Sequence, residues 1–330
     1  MQKPTGRLFK SVLTSLTGAI AVMAATAVLA APPLKIGYSD WPGWLAWQVA
    51  IDKQWFKDAG VEAQFEWFDY VASMDAFAAG QIDAVTATNG DALVMASGGA
   101  KNVMILITDY SNGNDMIVAR PGIKSLKDLA GKKVGLEIGF VEHLLLLNGL
   151  EKSGMQESDV TLVNTRTNET PQALASGDLA AIGAWQPSSG EAIRRVPGAK
   201  SIYTSADEPG LIYDVLTVNP ASLANRRAEW KKVVGVWDRV VGYINDPATQ
   251  ADAVRIMASR VGLQPQAYLP ILKGTRLLSL EDGKAIFVEA DGFKSLYGSS
   301  RIADDFNVRN GVYKAPQDLS KAIDPTLTTP

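Results

Sequence analysis

The stretch GLEIGFVEHLLLLNGL (residues 135–150) carries the single histidine of the 330-residue chain. His143 follows Glu142 directly, and Glu137 lies five residues before Glu142. Two carboxylates beside an imidazole are the ingredients of a metal site or an acid/base pair. The rest of the chain withholds the partners. There is no cysteine and no second histidine, which removes thiolate ligands and multi-histidine sites. Any Ser-His-Asp triad would rest on His143 alone. No GxSxG, HExxH or Walker A sequence is present. The expectation is therefore a non-enzyme without metal or cofactor.

More acids stand in the short stretches that follow apolar runs. SDWPGW (39–44), TNGD (88–91), DYSNGND (109–115), EIGFVE (137–142), AWQPSS (184–189) and LIYD (211–214) supply Asp40, Asp91, Asp109, Asp115, Glu137, Glu142 and Asp214. They contain no lysine or arginine. They also supply Trp41, Trp44, Trp185, Phe140 and the amides of Asn89 and Asn112. An anion pocket needs basic side chains or bare helix N-termini. Carboxylates and tryptophans suit a small cation instead. A hydrogen bond to a charged group contributes about 1.5–3 kcal/mol, and a desolvated cation–π contact about 2 kcal/mol. Acids at helix starts and buried tryptophans also occur for purely structural reasons. The absence of bases across all six stretches favours the ligand reading.

These stretches need elements to position them. Strand-like runs (LKIGY, VEAQFEWF, DAVTAT, NVMILITDY, DMIVA, KKVGLE, DVTLVN, LAAIGAW, KSIYT, YDVLTV) alternate with helical ones. SMDAFAAGQ is read as a short helix with Ser73 as N-cap, and a helix is expected from about Gly139 to Lys152. After Pro220 the pattern is mainly helical. Such alternation predicts an α/β protein with mostly parallel sheets. About ten strands fit two five-stranded sheets better than one. VARPGIKSLKDLAGKK and TVNPASLANR read as crossings between two lobes. The expected division is lobe I at 31–118 plus 219–330 and lobe II at 119–218. In open parallel sheets ligands bind beyond the carboxyl ends of the strands, where the acidic stretches fall.

Residues 1–30 read as a secretory signal: Lys3, Arg7 and Lys10, an uncharged apolar run, and small residues up to a cut near Ala30. Its removal takes three bases and no acid, so the net charge moves from −3 to −6. That speaks against nucleic acid. A periplasmic monomer with a turn-rich, partly disordered C-terminal tail is expected.

LKIGYSDWPGWLAWQVA, AAGQIDAVTATNGDALVMA, SLKDLAGKKVGLEIGFVEHLLL and ALASGDLAAIGAWQPSSGEA resemble the periplasmic solute-binding proteins of ABC importers, in the nitrate/sulfonate/taurine class. The resemblance covers essentially the whole chain after residue 30. It implies a two-lobed periplasmic binding protein fold (type II), each lobe a mostly parallel sheet flanked by helices. It also implies a ligand cleft between the lobes and ABC permease subunits as partners. Sulfonate-binding members carry Gly-Ser-Ser/Thr ahead of a histidine at this helix start. Here the match is Gly139-Phe140-Val141-Glu142-His143, with the hydroxyls replaced and a carboxylate added. WFDYVASMDAFAAGQIDAVTATNGDALVM, DYSNGNDMIVA and NETPQALASGDLAAIGAWQP look like the branch associated with urea carboxylase-type operons and guanidine uptake.

The ligand expected is thus guanidinium, planar, permanently charged and donating on every edge. Glu142, Asp91, Asp115, Asp40 and Asp214 are the candidate acceptors, two or three of them in contact with ligand. Asn89 and Asn112 are added amide acceptors, and Trp41, Trp44 and Trp185 are the stacking groups. Alternatives are urea or another amide or amidine compound, and, of another class, an enzyme such as a pyrimidine-precursor synthase on the same fold. That enzyme would have to use His143.

Overall fold

The computed structural model describes residues 31–328, and the expected export signal, Met1–Ala30, lies outside the described residues. Eleven strands are present among them: β1 (Leu34–Tyr38), β2 (Ala63–Trp67), β3 (Ala84–Thr88), β4 (Val103–Ser111), β5 (Asp115–Ala119), β6 (Lys133–Leu136), β7 (Thr161–Asn164), β8 (Ala181–Trp185), β9 (Lys200–Thr204), β10 (Tyr213–Val218) and β11 (Thr275–Leu277). They form a six-stranded sheet, β11-β4-β10-β3-β1-β2, and a five-stranded sheet, β7-β6-β8-β5-β9. The first sheet thus has one strand more than expected. β11 is a three-residue edge strand, too short to leave a period in the sequence.

Every residue of β3, β8 and β10 is buried. Their near-continuous apolar runs are those of strands covered by helices on both faces. β1 pairs in parallel with β2 and β3, and β6 with β7 and β8. β10 runs antiparallel between β3 and β4, and β5 antiparallel between β8 and β9. These two reversed strands follow the segments where the chain passes from one sheet to the other. Sheet membership puts those passages at residues 112–114 and 205–212. β5 belongs to the five-stranded sheet and β10 to the six-stranded one. Ser111 and Ser205 tie the passages together, their hydroxyls 2.6 Å apart, while the Gly113 N–H donates to the Ser205 hydroxyl at 2.7 Å.

The reversal decides which ends meet. The starts of β5 and β10 lie at the same sheet edges as the ends of their parallel neighbours. Asp115 stands opposite Trp185, and Asp214 stands between Thr88 and Asp109. Four acidic or aromatic stretches distant in sequence are thereby gathered.

The helices differ from expectation at their starts. The helix after β2 runs Tyr70–Ala78 with Asp69 at its N-cap. Ser73 is not the cap; it lies one turn inside, its hydroxyl donating to the Tyr70 carbonyl at 2.6 Å. Tyr70, Met74 and Phe77 are buried at helical spacing, and this stripe extends the helix back through Tyr70. The helix expected from Gly139 begins at Val141 and ends at Lys152, because Gly139 takes φ +88°, outside helical geometry. The longest helix among the described residues, Arg227–Asn245, buries Trp230, Val233, Trp237, Val240 and Ile244, and Trp237 packs on Trp47 at 4.6 Å between ring centres. The C-terminal run is not loose up to residue 328. Ile323 bridges to Met104, and Ile323 and Leu327 are buried. Among the described residues no helix is long and apolar enough to cross a membrane.

Candidate functional site

Between the two sheets lies a small cavity of about 10 Å3, walled by Trp41, Trp44, Tyr70, Thr88, Asp115, Val141, Trp185, Ile212 and Asp214. Its volume is on the order of that explored by the centre of one water-sized group. None of the nine wall residues is basic. The aromatic rings form a continuous chain: Trp41 to Trp44 at 6.4 Å, Trp44 to Tyr70 at 5.1 Å and Tyr70 to Trp185 at 5.3 Å between ring centres. Trp41, Trp44 and Tyr70 come from the first sheet's connections, and Trp185 from the end of β8.

The carboxyls divide by what they already hold. Asp109 accepts from Trp41 Nε1 and from the Thr108 hydroxyl, both at 2.9 Å. Asp91 accepts from the Tyr70 hydroxyl at 2.7 Å and from the Val141 backbone N–H. By contrast, Asp115 Oδ2, Asp214 Oδ2 and both oxygens of Glu142 are buried without a hydrogen-bond partner. Unsatisfied buried acceptors are uncommon and costly. Two of these residues, Asp115 and Asp214, stand on the cavity wall.

Burial is the first cause of every carboxyl shift in this cluster. It pushes Asp115 up to about 6, Asp109 up to about 6 and Asp91 up to about 7. Glu142 faces Asp115, and Asp214 faces Asp109. Glu142 and Asp214 are raised well above the ordinary range, first by burial and then by the neighbouring charges. Within each facing pair, Glu142 and Asp214 hold a proton more tightly than Asp115 and Asp109.

The expected residues do not all arrive at one place. Trp41, Trp44, Asp115, Trp185 and Asp214 line the cavity. Glu142 is fully buried behind Asp115 and forms no part of the wall. Asp40 lines an adjoining outer chamber, where its Oδ1 accepts from Trp185 Nε1 at 3.1 Å. Asn89 is spent on structure: its amide donates to Ser299 and Ser300, and its oxygen accepts the Tyr213 N–H at 3.2 Å. Asn112 lies away from the cavity, in a groove with Lys273 and Arg276, its N–H donating to the Gly274 carbonyl at 2.9 Å. Tyr70, Thr88, Val141 and Ile212 were not foreseen in the wall. The only advance signal for Tyr70 is its place on the apolar stripe of its helix.

His143 is scaffold. Its Nδ1 accepts the Gly139 N–H at 3.1 Å and its Nε2 lies 3.3 Å from the Glu157 carboxylate. Burial lowers its proton affinity against the pull of Glu157. It braces the loop between β6 and the Val141 helix. No group of His, Cys, Asp and Glu among the described residues is arranged to hold a metal ion.

The profile of the family described as "NMT1/THI5 like" matches residues 41–250. The chain belongs to the NMT1/THI5-like family. Within reach of sequence comparison is a protein of Brucella abortus (strain 2308), provisionally named a binding protein, 31% identical over 177 residues, 53% of this chain and 54% of that protein. The chain spans about half the length of the curated relatives it matches. Among solved structures, the periplasmic aliphatic sulphonate binding protein of Escherichia coli superposes with a TM-score of 0.71 at 17% identity, covering 89% of this chain and 93% of that one. The desulfurization enzyme DSZB superposes with a TM-score of 0.62 at 16% identity, over 89% and 97%. At these identities the structures establish a shared fold: this NMT1/THI5-like chain has the two-sheet architecture of periplasmic binding proteins.

Proposed function

We propose that this chain is the solute-binding component of an ABC importer, exported to the periplasm, and that it holds guanidinium or a closely related planar cation in the inner cavity. The observation that carries the reading is the wall itself: unpartnered buried carboxyl oxygens on Asp115 and Asp214, rings of Trp41, Trp44, Tyr70 and Trp185, and no base. An arriving cation supplies the missing charge, satisfies the open acceptors and meets aromatic faces. Anions fare poorly here. The N-terminus of the Val141 helix, the usual attraction for an anion, donates its Val141 N–H to the Asp91 carboxyl on the helix that follows β3. The Brucella relative and the Escherichia coli structure carry the names of binding proteins, and the cavity offers no lysine or histidine to act as a nucleophile. Both points favour a binding protein over an enzyme.

A second reading, urea, rests on Trp44 Nε1, a buried donor without a partner on a wall residue. Guanidinium has nothing to accept that bond, whereas a carbonyl oxygen does. Calorimetry of the chain from residue 31 with guanidinium, urea, taurine and nitrate separates the cases. Saturable binding of guanidinium, with none of taurine or nitrate, is the expected result. Binding of urea alone transfers the cavity to the neutral ligand, and binding of taurine or nitrate alone overturns both readings.

A further inference from the structure

The inner cavity shares Tyr70 and Trp185 with an outer chamber of about 110 Å3. Two side chains there are more than nine-tenths buried and still have an unpartnered polar atom: Glu137, 7% exposed, and Thr167, 4% exposed. Glu137 Oε1 accepts the Thr167 backbone N–H at 3.1 Å, and the Thr167 side chain lies beside the same carboxyl, whose Oε2 keeps no hydrogen-bond partner. Asp40 faces them from the other sheet. Asp69 and Asp75 stand exposed on the same lining, and Arg166, also exposed, is its single base. Trp67, Phe68, Tyr70 and Trp185 supply the apolar surface. Asp115, Asp214 and Glu142 take no part in it.

We propose that the outer chamber is a second binding site, for a small organic cation that carries N–H donors and a short alkyl group, such as an alkylguanidinium. Glu137 Oε2 and Asp40 accept its donors, the Thr167 hydroxyl turns to suit, and the rings cover the alkyl part. The chamber's greater volume admits an alkylated cation that the inner cavity excludes. Glu137, pushed up to about 7 by burial and by the nearby Asp91 and Asp40 carboxyls, ionises fully once a cation sits against it. The site does not depend on what the inner cavity binds.

The test uses methylguanidinium as probe and tetramethylammonium, which has no N–H, as ionic control. Titration is by calorimetry on a chain whose inner cavity is disabled by D115N and D214N. The expected result is saturable binding of methylguanidinium at one per chain, absent for tetramethylammonium. Adding E137Q or T167V should weaken it at least ten-fold. T167V keeps both the Glu137 charge and the backbone N–H that Glu137 accepts, so it reports on the chamber even if E137Q fails to fold. No saturable binding in the disabled chain, or equal binding after both substitutions, overturns the proposal. Guanidinium titration of the unsubstituted chain reports separately on the inner cavity. Failure there, with methylguanidinium retained in the disabled chain, refutes only the inner reading.

Discussion

A carboxylic acid that never meets solvent keeps its proton until something positive approaches. Glu142 and Asp115 share that situation unequally. Glu142 is fully buried and raised well above the ordinary range, while Asp115 reaches the cavity and stays near 6. Glu142 therefore acts on the ligand through Asp115, as the neutral neighbour that leaves Asp115 the more readily ionised of the two. This yields a prediction opposite to that for a direct acceptor. E142Q keeps a neutral polar group beside Asp115 and should change guanidinium affinity by less than about three-fold. E142L leaves the buried Asp115 carboxyl beside an apolar group and should cost about 1–3 kcal/mol. D115N removes the charge itself and should cost about 1.5–3 kcal/mol. Calorimetry on the three variants checks the order, and a loss in E142Q as large as in D115N would return Glu142 to the ligand's contact surface. The acids were legible in sequence as types and as loops without bases. Which of them would face each other was not, because pairing depends on strands far apart in the chain.

At the scale of elements, the legible part was the alternation of strands and helices, since both periods are local. The reversed strands β5 and β10 were visible as strands, but their partners were not, and the partners decide the site: Asp214 meets Asp109 and Thr88 only through antiparallel register. Helix starts were the least legible. Asp69 displaced Ser73 as cap because a buried tyrosine added a turn. The turn Asp40–Gly43 shows what the sequence hides. A Cβ on Gly43 would lie 2.1 Å from Asp109 Oδ2, so glycine is required there for close packing against a carboxylate. That packing sets the hydrogen bond from Trp41 Nε1 and hence one cavity wall. G43A should displace Asp109, lower stability by about 1–3 kcal/mol, and weaken guanidinium binding. Chemical denaturation and calorimetry measure the two effects. Unaltered values for both would mean that the turn does not set the wall.

Over the whole molecule, the buried carboxyls make stability depend on pH in a direction opposite to that of surface ion pairs. Asp40, Asp109 and Asp115 are pushed up to about 6, and Asp91 and Glu137 to about 7, in each case chiefly by burial. Unfolding returns them to the ordinary carboxyl range near 4. Between about pH 4 and 7 the native chain thus binds more protons than the unfolded one, and stability falls as pH rises through this window. The contribution is complete below pH 4 and is lost above about 7. Surface acids such as Asp252, held down by Lys53 and Arg255, pull the other way, but exposed pairs contribute little. A cation in the cavity reverses the main trend, since it binds the ionised set and displaces protons. Without ligand, the melting temperature should decline from pH 5 to pH 8. With guanidinium at about a hundred times its dissociation constant, the native state gains about 2.7 kcal/mol, and this gain should grow across the same interval. Calorimetric titrations at pH 7 in buffers of different ionisation enthalpy should show proton release on binding. A ligand-induced rise in melting temperature that shrinks toward pH 8 would mean that the cavity takes a neutral guest on its protonated acids, the behaviour expected of urea held by Trp44 and Asp214.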